Sequence, residues 1–439
     1  THGWFGGGFV PASSTTLSSV ERIDFSNDTS TPTPRGALSV ARRSLTAIGN
    51  SNFGWFGGGW FTPSTPQINY STIDRINFYN DSVTTLARGP LASTRYNLGS
   101  TANSNYGWFG GGQLFDPVTP ANTRKTSVDR IDFSNDSATA SPRGPLSLAR
   151  TQLAATGNSN YGWFGGGSAP SVPGTVTRVD RIDFSNDLAT ASPRGPLSLS
   201  RSELVATGNS NYGWFGGGGA PALSPSITAR VDRIDFANDS SNASPRGSLS
   251  LERAQIASTG NSNYGWFGGG LNPGFVALST VDRIDFSNDS STASVRGPFG
   301  TGIRYRLAAT GNSNFGWFGG GTIPSLFVAT TTVDRIDFSN DSVTASPRGK
   351  LSLARDGLSA TSGQAKSSSI RLQKAANFGW FGGGLVPATP APLLRSTVDR
   401  IDFSNDSVTA SPRGPLSLAR WGSAATGNSN FGWFGGGTT

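Results

Sequence analysis

Apolar and polar positions change over every few residues along this chain, in runs too short for an amphipathic helix but of the length expected for β-strands. Residues 128–167 show the pattern. Val128-Asp129-Arg130-Ile131-Asp132-Phe133 reads as a strand and Ser134-Asn135-Asp136-Ser137 as a tight turn, because Asn and Asp side chains bond to nearby backbone and tolerate left-handed conformations. Pro142-Arg143-Gly144-Pro145 does not fit a central ladder, since proline has no N–H to give, and is expected to cross from the outer edge of one sheet to the next. A strand at Gln152-Leu153-Ala154-Ala155-Thr156 and a turn at Gly157-Asn158-Ser159-Asn160 then lead into the aromatic strand Tyr161-Gly162-Trp163-Phe164, which ends in three glycines. Counting the segment after the Ser-Asn-Asp-Ser turn, the period holds four strands.

The period is marked by Gly-Trp-Phe-Gly-Gly-Gly, which occurs nine times, with tryptophans at Trp4, Trp55, Trp108, Trp163, Trp214, Trp266, Trp317, Trp380 and Trp433. Neighbouring copies lie 51 to 55 residues apart, except for 63 between Trp317 and Trp380. Such a period points to a propeller or array in which each unit buries its faces only against its neighbours. Burying one Trp-Phe pair removes about 300 to 500 Å² of ring surface, an upper bound of roughly 7 to 12 kcal/mol, against about 1 kcal/mol for each strand glycine. The rings outweigh the glycines, and the triple glycine reads as a close approach between sheets, where a Cβ would clash.

These segments resemble the kelch repeat of β-propellers. Val128-Asp129-Arg130-Ile131-Asp132 looks like the family's Val-Glu-Arg-Tyr-Asp-like strand, Arg150 like the arginine ahead of the innermost strand, and Tyr161 to Gly167 like the aromatic strand that ends in a double glycine. The likeness runs through the whole chain. It departs from the family at the outermost strand, where small residues such as Ala138 and Ala189 replace the usual tryptophan, so packing between blades is expected to differ. The Asp-Arg-Ile-Asp-Phe-Ser-Asn-Asp and Asn-Ser-Asn-Tyr-Gly segments also resemble kelch-like arrays of marine bacteriophages, including those of cyanobacteria, which implies a virion or tail-fibre component. The resemblance implies an all-β propeller of eight blades, each of four antiparallel strands, closed by a strand at 423–427 that supplies the innermost place the first blade lacks. An open or nine-unit arrangement is the alternative. Residues 1–439 are read as a single repeat domain of eight repeats.

Composition narrows the chemistry. The chain has no Cys and no Met, so thiolate chemistry is excluded, and the absence of an initiator is expected to reflect processing or a longer polypeptide. No apolar run is long enough to span a bilayer and no secretory signal is evident, so membrane insertion is not expected. The net charge of +8 is carried almost entirely by Arg, at the same places in each repeat and beside acids. A nucleic-acid binder clusters its cations, so nucleic acid is not an expected partner, and the arginines read as structural ion pairs and carbonyl ligands.

An enzyme is not expected. Copper oxidases on kelch-like rings need a Cys-linked Tyr and paired His ligands, and the one histidine here is His2. Equivalents of Asp129, Asp132 and Asp136 recur in nearly every repeat, whereas catalysis needs one asymmetric constellation. The Asp-Phe-Ser-Asn-Asp turns offer too few oxygens for Ca²⁺, so no metal or cofactor is expected. Individuality lies instead between each triple glycine and the next Val-Asp-Arg strand, as at 9–18, 60–71, 113–127, 271–279 and 385–396, where length and aromatic content vary. Equivalent loops leave a propeller on one face. The candidate binding residues there are Phe9, Trp60, Phe61, Tyr70, Phe115, Asp116, Arg124, Lys125, Phe275 and Phe327, with a basic insertion at 361–376 carrying Lys366, Arg371 and Lys374 as a docking arm or a tolerated surface insertion. The expected role is a non-enzymatic module at a virion surface or outside the cell, whose partners are other virion proteins or a host-surface glycan or protein. A homo-oligomer is compatible with it. A structural filament or array element and a kelch-type adaptor are the alternatives.

Overall fold

A computed structural model of the protein describes residues 2–362, except 11–12, 25–28, 30–31, 62–67, 83, 117–120, 171–173, 222–225, 325–327 and 353, and from 363 onward the strand segments only. Two compact units divide the chain, Thr1–Ile370 and Arg371–Thr439.

The first unit is a seven-bladed β-propeller. A typical blade runs from the inner strand Ala154–Gly157 through Tyr161–Gly165 and Val179–Asp183 to the outer strand Ser192–Arg194, each antiparallel to the last. Within this blade's strands proline falls only in the outer one, where it interrupts no further ladder. The inner strands touch one another in a closed cycle around a central channel.

Eight blades were expected, and the ring closes after seven. The inner strand of the first blade is Ser359–Ser362, paired with His2–Gly6, and not the segment at 423–427, whose strand Ala424–Gly427 pairs with Gly432–Gly435 in the second unit. Packing explains the number. Each blade presses a phenylalanine onto a glycine of the blade before it: a Cβ on Gly165 would lie 2.7 Å from the Phe215 ring, and one on Gly319 the same distance from Phe5. With the seventh blade that contact returns to the chain start, and no gap remains for another wedge. In the other blades the aromatic strand begins four residues after the inner strand ends, as in Ala154–Gly157 followed by Tyr161–Gly165, and the turn folds the one onto the other; after Ser359–Ser362 the next aromatic strand, Phe378–Gly382, begins only sixteen residues later. The insertion at 361–376 overlaps the end of the closing strand, and its residues 363–376 lie outside the described ones.

This seam gives a direct test. A chain ending at 370 is expected to melt cooperatively, whereas one ending at 358 lacks a four-residue ladder and loses on the order of 3 to 4 kcal/mol, at roughly 1 kcal/mol per backbone hydrogen bond. Equal urea midpoints would remove the seam.

The three recurring aspartates of a repeat have three jobs. Asp180 pairs with the fully buried Arg150 at 2.8 Å, and Arg150 also donates to the carbonyls of Phe164 and Arg178. Asp183 caps its turn by accepting from the Ser185 N–H and hydroxyl. Asp239 accepts from the Trp163 indole of the preceding blade at 2.7 Å and pairs with Arg181 and Arg194 of that blade. Trp163 stacks on Phe236 at 3.9 Å, and Arg181 lies over Tyr161. The indole-to-Asp bond recurs from Trp4 to Trp266. Tryptophan in the glycine strand thus takes over the inter-blade packing, as the departure from the kelch pattern required. At the seam Glu21 stands where other blades have Asp and pairs with Arg355. Burial pulls Arg150 and Arg201 down to about 10, so both stay charged at neutral pH.

In the second unit Phe378–Gly382, Val398–Asp402 and Ser411–Arg413 form a three-stranded sheet in the register of a blade's last three strands.

Candidate functional site at the channel mouth

The site begins at the buried arginine ahead of each inner strand. Two residues after it the backbone turns left-handed: Ser44, Asn97, Gln152, Glu203, Gln255, Arg306 and Gly357 have φ between 53° and 57°. Each of their N–H groups donates to the carbonyl of the equivalent residue one blade back, from Ser44 to Gly357, Asn97 to Ser44 and so on around to Gly357 to Arg306, at 3.0 to 3.4 Å. Seven backbone hydrogen bonds therefore close a circle at one mouth of the channel. Left-handed backbone costs a non-glycine residue about 1–2 kcal/mol and persists where its surroundings fix it. Here the circle and the buried arginines on either side fix it.

The backbone repeats and the side chains do not. Glu203 accepts from Gln152 Nε2 at 2.8 Å and from Gln255 Nε2 at 3.0 Å. Asp356 accepts from the Thr322 hydroxyl at 2.8 Å and lies 3.8 Å from Arg306. Arg43 is clamped between two rings, 4.1 Å from the Phe9 centroid and 4.4 Å from that of Trp60. Burial lowers the Arg43 pKa, Asp356 opposes the shift and Arg306 adds to it. Arg43, Trp60, Tyr96, Glu203, Arg306 and Asp356 help to line a cavity of about 440 Å³.

The residue just after each buried arginine pairs with the first residue of a variable loop, as in Arg43 with Trp60, Tyr96 with Gln113, Ala254 with Leu271 and Asp356 with Phe9. Mouth and variable loops therefore share a face, and the Ser-Asn-Asp-Ser and Gly-Asn-Ser-Asn turns lie at the other ends of the strands. Among solved structures, one titled "Structure of YjhT" matches with a TM-score of 0.55 and 12% identity, covering 70% of this chain and 98% of that one. The likeness is one of fold. No family model matches the chain, and no curated protein does.

The predicted contact residues are distributed around this face. Phe9 and Trp60 meet across Arg43. Phe61 and Tyr70 are half-buried in the hairpin that Trp60–Phe61 forms with Ile68–Asn69, whose Asn69 amide donates to the Phe115 carbonyl of the next loop. Asp116 ends the strand Gln113–Asp116, Arg124 donates to the Ser168 hydroxyl at 3.0 Å, and Lys125 bonds through its backbone to Gly112 and Arg150. Phe275 is 71% exposed at a loop tip with φ of 58°, an uncommon backbone for a bulky side chain. Phe327 lies outside the described residues. Trp60 apart, the residues that line the mouth are not among those predicted. Their signal was a second variable column, read as Arg-x-[any]-Leu in Arg42 to Leu45, Arg95 to Leu98, Arg150 to Leu153 and Arg201 to Leu204. Among the described residues no cluster of three His, Cys, Asp or Glu side chains is placed to hold a metal ion.

Proposed function

We propose that the chain is a non-enzymatic binding module that works through its variable face, as an external component of a phage particle contacting a host-surface glycan or protein or other virion proteins. The fold fits a binding or interaction module. One observation carries the reading: the blades agree closely in their packing, and their two variable columns, the loops and the mouth, converge on one face. The recurrent aspartates and arginines are already committed to blade packing and turn capping, which leaves the repeated carboxylates without a chemical task. The tail-fibre setting rests on the resemblance of the repeat segments to kelch-like phage arrays. A structural array element is the second reading, favoured by the repeat strands that continue beyond the closed ring.

Phe275→Ser is expected to weaken binding to host cells at least tenfold with unchanged melting, in line with an exposed aromatic anchor. Tyr79→Ser, at an 82% exposed position in a turn on the opposite side, is expected to leave binding unchanged. The reverse pattern in a cell-binding titration would move the contact to the other face.

A further inference from the structure

Donors outnumber acceptors in one sector of the mouth. The Arg43 guanidinium, which lies over both the Phe9 and the Trp60 rings, has no hydrogen bond or ion pair among the described residues, and the Trp60 Nε1 is buried without an acceptor. A buried indole N–H without a partner costs about 1–3 kcal/mol, and clamping removes the freedom an arginine normally loses when it binds. Both groups belong to the 440 Å³ cavity. Asp356 does not fill the gap, since its carboxylate is engaged by Thr322 and faces Arg306.

We propose that this sector is a subsite for a carboxylate carried on a hydroxylated scaffold, the chemistry of a uronic acid residue. The planar fork of Arg43 matches a carboxylate in two-point fashion, with Trp60 Nε1 as an added donor. Among the cavity's other lining groups the amides of Asn97, Gln152 and Gln255 carry both donors and acceptors and Glu203 accepts, as sugar hydroxyls require. Glu203 and Asp356 count against a polyanion, so a single negative charge fits better than an acidic peptide. The inference deepens the binding reading of this face and rests on it.

The test titrates the folded protein with methyl glucuronoside, methyl glucoside, sulfate and triglutamate, followed by NMR shifts. The glucuronoside is expected to bind at least tenfold more tightly than the other three. Arg43→Gln is expected to weaken it tenfold or more, Arg43→Lys to weaken it less, and Trp60→Phe, which keeps the ring and removes the donor, to weaken it severalfold. Equal binding of glucuronoside and glucoside, equal binding of sulfate or triglutamate, no glucuronoside binding, or binding indifferent to Arg43→Gln would each overturn the subsite. The variants' melting curves separate loss of the site from loss of the fold. Phe275→Ser is expected to leave glucuronoside binding intact, so a failed subsite with Phe275-dependent cell binding refutes only this inference, and glucuronoside binding with Phe275-independent cell binding refutes only the loop contact.

Discussion

Gly144→Ala is expected to destabilise the propeller by about 4 kcal/mol or more, although it adds one methyl group. In the crossover after the outer strand a Cβ on Gly144 would lie 1.7 Å from the Ala189 carbonyl oxygen and 2.1 Å from its carbon, both backbone atoms of the next blade. The Gly144 N–H donates to the Asp187 carbonyl at 2.8 Å. Making room means moving that turn outward, and Asp187 is also the residue that holds the Trp108 indole and the guanidinium groups of Arg130 and Arg143. Strain of this kind belongs to the overpacking class, with the extra cost of a broken polar cluster. Gly274→Ala, in a loop where the nearest atom is 3.4 Å away, is the control and is expected to fall within about 0.5 kcal/mol of the parent. Urea unfolding of both variants decides the point, and similar midpoints would show that blades slide apart at no cost.

The second large effect is expected from Arg95→Met. Arg95 and Asp129 are fully buried and 2.6 Å apart, and Arg95 also donates to the Phe109 carbonyl. Removing one member of such a pair costs about 3–5 kcal/mol, because the other charge stays buried alone. The loss should depend on pH. Burial already raises the Asp129 pKa, with Arg95 as the main opposing influence, so in the variant the carboxyl titrates higher still. A carboxyl whose folded pKa exceeds its unfolded value binds its proton more tightly in the folded state. The deficit is therefore smallest below the ordinary Asp value of about 4 and grows as pH rises through the folded pKa. Adding Asp129→Leu is expected to recover most of the loss at pH 7. A deficit that is the same at pH 4 and pH 7 and survives the second substitution would mean that the pair does not hold its blade together.

Much of this architecture could be read before any coordinates. The Val-Asp-Arg strand, the two turns, the proline-marked crossover and the aromatic strand each have local chemistry that does not depend on their neighbours, and they stand where that chemistry puts them. The triple glycine also carried its meaning, since it marks where a ring from the next blade must fit. Blade number was not legible in the same way. It follows from which strand the edge of His2–Gly6 captures and from the wedge angle accumulated over many Phe-on-Gly contacts, and neither is a property of one repeat. In sequence Gly144 marks a crossover and not a packing contact, because the carbonyl it faces comes from 45 residues further along. At the mouth, the loops differ in length from repeat to repeat, whereas the position two residues after the buried arginine differs only in side chain and leaves no gap in the repeat to mark it.

The circle of seven bonds at that position separates two tasks that most binding sites mix. Because the frame is built from main-chain atoms, exchanging the residue at 44, 97, 152, 203, 255 or 306 changes what the mouth presents without redrawing its outline. The ring works as a set of sockets of one gauge, and a lineage or a designer can refit it one side chain at a time.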